Sequence, residues 1–274
     1  PDIPRGRAVR TYRYEMRGFI DQCIARYLEV AHCSENALRK VVTPGIDDSA
    51  FSQEYFECPG LLAPSAASVL MKILYIARCC RLDLLHPVGM LAREVTKWNR
   101  ACDKRLHRLV SYLHSTRDKN LEGFVGDDPN DCDVIVYSDA SFADDTNSSK
   151  STSASFVALV GPNTLAPITA ICKKQTVVSH SSTESEIVAL DAAIRAEALP
   201  MLSCWEAVCD AFASARSGRG GRKTSAEPGG TRRDASNNKG SRSHSPSPRV
   251  IAAEDNEAVI NIIAKGRTPA LRHL

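Results

Sequence analysis

The sequence predicts an α/β chain: a helical first half, then successive strands, then helix, strand and helix. Three observations predict it. Up to residue 114, apolar residues recur at spacings of three and four, one face of a helix. From residue 134, three strand-like runs follow one another with short breaks. After residue 250, a short apolar run leads straight into a helical one. The 274 residues suffice for one large or two small domains.

Composition narrows the function classes. The hydrophobic fraction is 43%, ordinary for a globular protein. Net charge is +3, so the chain as a whole does not mark a nucleic-acid binder, and local clustering must carry that argument. No apolar run reaches the roughly 18 residues of a membrane span, so no membrane partner is expected. The sequence starts at Pro1 without a charged-then-apolar leader, and reads as an internal fragment or an incomplete gene model. Of the ten cysteines, Cys79 and Cys80 are adjacent, Cys204 and Cys209 lie on an amphipathic run, and none form a C-x-x-C pair. That spacing predicts free thiols in a reducing compartment rather than disulfides or zinc.

In the first half, Phe19, Ile20, Cys23, Ile24, Tyr27, Leu28 and Ala31 fall at helical spacing, and Gly45 closes the region. Residues 41–47 and 61–65 read as loops, with Ser65 able to cap the next helix. Val69, Leu70, Ile73, Leu74 and Ala77, then Leu84, Leu85, Val88 and Leu91, predict two packed helices broken at Arg81-Leu82-Asp83. A further helix over 96–114 sets Trp98, Leu106, Leu109, Val110 and Leu113 against a basic face of Lys97, Arg100, Lys104, Arg105 and Arg108. That face is either a solvated surface or one that lies on a phosphate backbone, where Lys and Arg release counterions. Lys104, Arg105 and Arg108 are the nucleic-acid-binding candidates.

Residues 121–131 read as the boundary between a region 1–125 and a region 132–274, because Gly123, Gly126 and Pro129 break any helix. Strands over 134–139, 151–160 and 168–172 form a β-meander, with a turn at Gly161-Pro162. A helix over 183–208 shows Ile187, Leu190, Ile194, Ala198, Met201, Trp205 and Val208 on one side. Ser182 or Thr183 caps it, and Pro200 kinks or restarts it. Residues 213–249 are rich in Ser, Gly, Arg and Pro, and read as a disordered insert or a translated intron. A strand over 250–253 and a helix over 257–264, stopped by Gly266, complete the reading.

Carboxylates stand at three places in this pattern. Asp139 ends the first strand run, Glu184 and Glu186 open the long helix, and Asp255 follows the last strand run. Singly, each reads as a turn residue or a cap. Together they offer oxygen ligands of the kind that hold Mg2+. Two such ions about 4 Å apart clamp the attacking and leaving oxygens of a phosphodiester.

Five blocks carry a resemblance. They are Tyr137-Ser138-Asp139-Ala140, Lys150-Ser151-Thr152-Ser153, Lys173-Lys174-Gln175, Ser181-Ser182-Thr183-Glu184-Ser185-Glu186, and Asp255-Asn256. In this order they resemble the ribonuclease H domain at the end of the Pol polyprotein of copia-type LTR retrotransposons. In the first half, Leu74-Tyr75, Arg81-Leu82-Asp83, the basic run 104–108, Tyr112-Leu113 and Thr116 resemble the end of that family's reverse transcriptase. The resemblance implies a helical thumb- or connection-like region, then a ribonuclease H-like mixed sheet flanked by helices and incomplete at its C-terminus. It implies two Mg2+ ions, with Mn2+ as substitute, held by Asp139, Glu186 and Asp255. Glu186-Ile187-Val188-Ala189 fits the family's glutamate-x-x-alanine pattern and Glu184 does not, so Glu184 is left as a cap or an alternative ligand. Ser151, Thr152 and Ser153 are implied donors to backbone oxygens, or ordinary strand residues. The implied partners are an RNA–DNA hybrid and the remainder of the Pol polyprotein, in a cytoplasmic retroelement particle or the nucleus.

Three features depart from the family pattern. Ala154 replaces a glycine, the insert 213–249 has no counterpart, and the family's fourth carboxylate lies beyond Leu274. An alternative therefore stands beside the nuclease: a decayed or domesticated remnant that binds nucleic acid without cleaving it. The polymerase's paired-aspartate motif is absent, so the chain alone is not expected to synthesise DNA.

Overall fold

In the computed structural model, which describes residues 9–144, 148–219 and 248–266, the described strands form one mixed, open sheet flanked by helices. In chain order the elements are β1 (Arg10–Tyr14), α1 (Arg17–Val30), α2 (Gln53–Glu57), α3 (Ala66–Cys79), α4 (Leu85–Arg93), α5 (Arg100–Ser115), β2 (Leu121–Val125), β3 (Asp133–Ser141), β4 (Thr152–Gly161), β5 (Thr164–Lys174), α6 (Ser182–Ala193), α7 (Leu199–Arg219), β6 (Val250–Ala253) and α8 (Glu257–Lys265). The sheet order is β1-β2-β5-β4-β3-β6. β3, β4 and β5 form the antiparallel meander. β6 then runs parallel to β3, with Val134 opposite Val250 and Tyr137 opposite Ala253.

The meander is long because its turn is pinned. Asp127 accepts from the Asn163 amide at 2.6 Å and from its side chain at 2.8 Å, which holds the β4–β5 turn against the preceding loop. Along β3, Val134 and Val136 are buried while Tyr137 and Asp139 stand open, the period-two alternation of a strand with one covered face. That face packs Val134, Val136, Val157 and Leu159 against Ala193, Ala198 and Trp205. A bulge leaves Ile168 unpaired, between Pro167 opposite Ala158 and Thr169 opposite Val157. It shifts the phase of β5, so Ala166 joins this core while Ala170 and Cys172 pack on the helical core of α1, α3, α4 and α5 on the opposite face.

The Arg81-Leu82-Asp83 break is a built corner. Arg81 is 2% exposed and donates to both Asp83 oxygens, to the Thr116 carbonyl at 3.0 Å and to the Thr116 hydroxyl at 2.8 Å. Tyr112 donates its hydroxyl to Asp83 at 2.9 Å. Burial pushes the Asp83 carboxyl up, but the bonds from Arg81 and Tyr112 outweigh it and hold the pKa below the ordinary value. All ten cysteines are free thiols.

Several local expectations change. Residues 121–125, expected to be a boundary loop, form β2, which pairs with β1 and touches β5. Gly123 lies under the Tyr12 ring, where an added Cβ would come within 2.4 Å, so its role is close approach rather than helix breaking. β1 escaped the sequence reading because Arg-Thr-Tyr-Arg-Tyr has no buried side. The basic helix of the first half starts at Arg100 rather than 96: Val95–Lys97 is a 3-10 turn, Trp98 is extended, and the Asn99 side chain caps by accepting from the Cys102 amide. Ser181, not Ser182 or Thr183, caps α6. The expected restart at Pro200 occurs through a π turn, Ile194–Ala198, which absorbs the hydrogen bond that proline cannot donate. α7 continues to Arg219, past the composition change at 213, and residues 220–247 of the expected insert lie outside the described residues. Gly266 ends α8 in the left-handed region at φ 70°. No helix among the described residues is long and apolar enough to cross a membrane.

Candidate carboxylate site

Three elements bring the acids together. β3 carries Asp139 on its open face. β6 ends at Ala253, beside Tyr137, so Glu254 and Asp255 emerge next to the Asp139 end of β3. The start of α6 supplies the glutamates, and α6 packs on β3 and β4.

The two glutamates do different things. The Ser181 hydroxyl accepts from the Glu184 amide at 3.1 Å, and the Glu184 carboxylate accepts from the His180 amide at 2.7 Å. This is close to a capping box, and Glu184 is committed to starting the helix. Glu186 lies two residues on, turned about 200° around the helix axis. It is 8% exposed, accepts a backbone hydrogen bond from Ala140, and has one oxygen, Oε2, buried without a partner. Burial pushes its pKa up to about 7, the charges of Asp139 and Glu254 push further, the Ala140 bond opposes, and Asp255 adds to the rise. Asp139, Glu186 and Asp255, the three residues singled out from sequence, therefore share one electrostatic neighbourhood.

Glu254 belongs to the same neighbourhood, and the sequence reading passed over it. Its Oε2 accepts from the Ser138 hydroxyl at 3.2 Å and its Oε1 from the Asn256 amide at 3.2 Å. The signal was available: Glu254 directly ends the last strand, one place before Asp255. Asn256 has its own task, because its side chain accepts from the Ala258 and Val259 amides and caps α8.

The other resemblance blocks turn out to be internal bracing. Gln175 is buried, and its amide donates to Ser153 Oγ at 3.0 Å and to the Ser185 carbonyl at 2.8 Å, tying β4 to the first turn of α6. Ser151 and Thr152 do not present hydroxyls to a ligand. Ser151 is fully buried and accepts from the Ala143 amide at 3.0 Å, and buried Thr152 donates to Asp144 at 2.7 Å. The loop after β3 uses up both hydroxyls.

The basic face of α5 is likewise mostly spent. Arg105 pairs with Asp48 and lies over the Phe51 and Phe56 rings, and Arg108 donates to the Thr43 carbonyl and hydroxyl, each at 2.9 Å. These two arginines fasten the 43–56 segment to the helix. Of the three candidates, Lys104 alone is exposed.

An all-oxygen donor set suits a hard cation such as Mg2+ or Mn2+. The unpartnered Glu186 Oε2, facing other carboxylates, is the kind of buried acceptor that a cation satisfies. Among the described residues, no three His, Cys, Asp or Glu side chains stand close enough as placed to hold one ion together. Comparisons with protein-family models, with curated proteins and with solved structures returned no match.

Proposed function

We propose that this chain is the end of the reverse transcriptase plus the ribonuclease H region of a copia-type retrotransposon Pol polyprotein, and that it hydrolyses the RNA strand of RNA–DNA hybrids. The observation that carries the reading is Glu186: a buried carboxylate with an unpartnered oxygen, raised to a pKa of about 7 beside Asp139, Glu254 and Asp255. The β5-β4-β3-β6 order, a meander with a parallel fourth strand, supports it as the sheet on which that family displays such a cluster.

Asp139, Glu186 and Asp255 would hold the cations, with Glu254 close by. Bound Mg2+ would supply a water acidified for attack and charge neutralisation at the leaving oxygen. The chain's own contribution is placement. Gln175 locks the first turn of α6 to β4, which fixes Glu186, while Ser138 and the Asn256 amide orient Glu254. Without a cation, Glu186 keeps a proton up to about pH 7 and so limits the repulsion. Recognition of the hybrid would rest on phosphates and 2′-hydroxyls rather than bases. The remaining Pol polyprotein would be the partner, in a cytoplasmic particle or the nucleus.

The test is cleavage of a labelled RNA–DNA hybrid in Mg2+, with duplex DNA as control and Asp139→Asn as the inactive variant. Cleavage of the hybrid alone, lost in Asp139→Asn, supports the reading. Binding without cleavage favours the non-cutting remnant.

A further inference from the structure

The helical cluster meets the sheet along a groove of about 570 Å³ between α3, α4 and β5. Its walls carry Arg78, His86, Arg93, Lys173 and Lys174, and no acidic residue. Arg78 lies near the end of α3 and Arg93 at the end of α4. Both are exposed, and neither is paired with a carboxylate among the described residues. Lys173 pairs with Ser153, so its side chain points to the other sheet face. The nearest acid is Asp144, which takes the Thr152 hydroxyl and stands 3.9 Å from His86 at one side.

The groove's position relative to the acids follows from strand register. Cys172 pairs with Ala154, and Ala154 pairs with Asp139, so all three are on one sheet face. Two strand spacings separate Cys172 from Asp139, about 10 Å. Across that distance only the methyl of Ala154 rises from the intervening strand. A chain of phosphates in the groove has a low path to the carboxylates.

We propose that this groove, and not the basic face of α5, carries the sugar-phosphate backbone of bound nucleic acid to Asp139, with Arg78 and Arg93 as its phosphate contacts. The proposal rests on the nuclease reading for the identity of the ligand. Contacts of this kind position a strand without reading its sequence, so binding is sequence-independent. They also release counterions, and each lost contact lowers the slope of log K against log salt by about 0.9.

The experiment measures hybrid binding by the whole chain in EDTA across a salt series, for the wild type, Arg78→Ala/Arg93→Ala, and Arg13→Ala/Arg195→Ala as a control that removes the same charge elsewhere on the surface. The double variant should flatten the slope by roughly 2, and the control should not change it. Arg78→Ala alone, at an exposed helix position, keeps the test decisive if the double variant does not fold; it should flatten the slope by about one. An unchanged slope, or no hybrid binding by the wild type at low salt, overturns the proposal. Cleavage by the wild type against Asp139→Asn judges the nuclease reading separately, in a variant whose groove is intact.

Discussion

Replacing Glu186 with glutamine should stabilise the metal-free protein near pH 8 and leave it almost unchanged near pH 4. In the folded chain this carboxyl titrates at about 7, against an ordinary value of 4.5. Between those values the folded state binds more protons than the unfolded state, so unfolding free energy falls as pH rises through the window. At about 1.4 kcal/mol per pH unit the full interval corresponds to about 3 kcal/mol. Asp139 is exposed, so solvent screens part of that repulsion, and about 2 kcal/mol is the expected gain. Glutamine keeps the shape and the acceptor for the Ala140 amide but cannot ionise. The assay is urea unfolding of both proteins in EDTA between about pH 4 and pH 8. Glu35, Asp47 and Asp83, whose pKa values are lowered, make both proteins less stable in acid and cancel in the difference. The difference curve should be near zero at the acid end and climb through the window. A flat difference, or one that grows toward acid, refutes the coupled-carboxylate account.

Saturating Mg2+ or Mn2+ should raise the melting temperature, with a stabilisation of about 2.7 kcal/mol at a hundredfold excess over Kd. Asp139→Asn should abolish the rise, while Glu184→Gln, at the capping glutamate, should leave most of it; thermal melts with and without EDTA decide. Arg81→Ala should cost about 1.5–3 kcal/mol by removing the buried guanidinium that ties Asp83 to both Thr116 oxygens, and Arg81→Lys should not restore it, because one ammonium cannot reach Asp83 and both Thr116 oxygens; denaturant midpoints check this. Asn256→Ala should cost about 1 kcal/mol through the lost cap of α8, and should also weaken the metal response, since Asp255 directly precedes it; the same melts show both.

What could be read from the residues was whatever repeats or alternates. Leu106, Leu109, Val110 and Leu113 announced a helix, the run Val134-Ile135-Val136-Tyr137 a strand, and Gly266 a helix stop. Helix geometry showed that Glu184 and Glu186 cannot face the same way, and the resemblance, not the geometry, singled out Glu186. What could not be read was how polar side chains are used. Arg105 and Arg108 look like a basic stripe in sequence, but Asp48 and Thr43, some 60 residues away, claim them. Ser151 and Thr152 look like ligand donors, but the loop after β3 consumes them. β1 was hidden because an edge strand exposed on both sides has no hydrophobic period to detect.

The placement of β2 bears on how this chain can be divided. Cutting at the glycine-rich stretch before residue 132 would remove a strand rather than a linker. A fragment starting there would leave one border of the meander without its antiparallel neighbour and uncover Ala170 and Cys172, which the helical half now shields. Open strand borders with apolar neighbours invite pairing between molecules. The half that holds the acids should therefore clump when expressed alone, and a well-behaved product needs residues 10–125 as well.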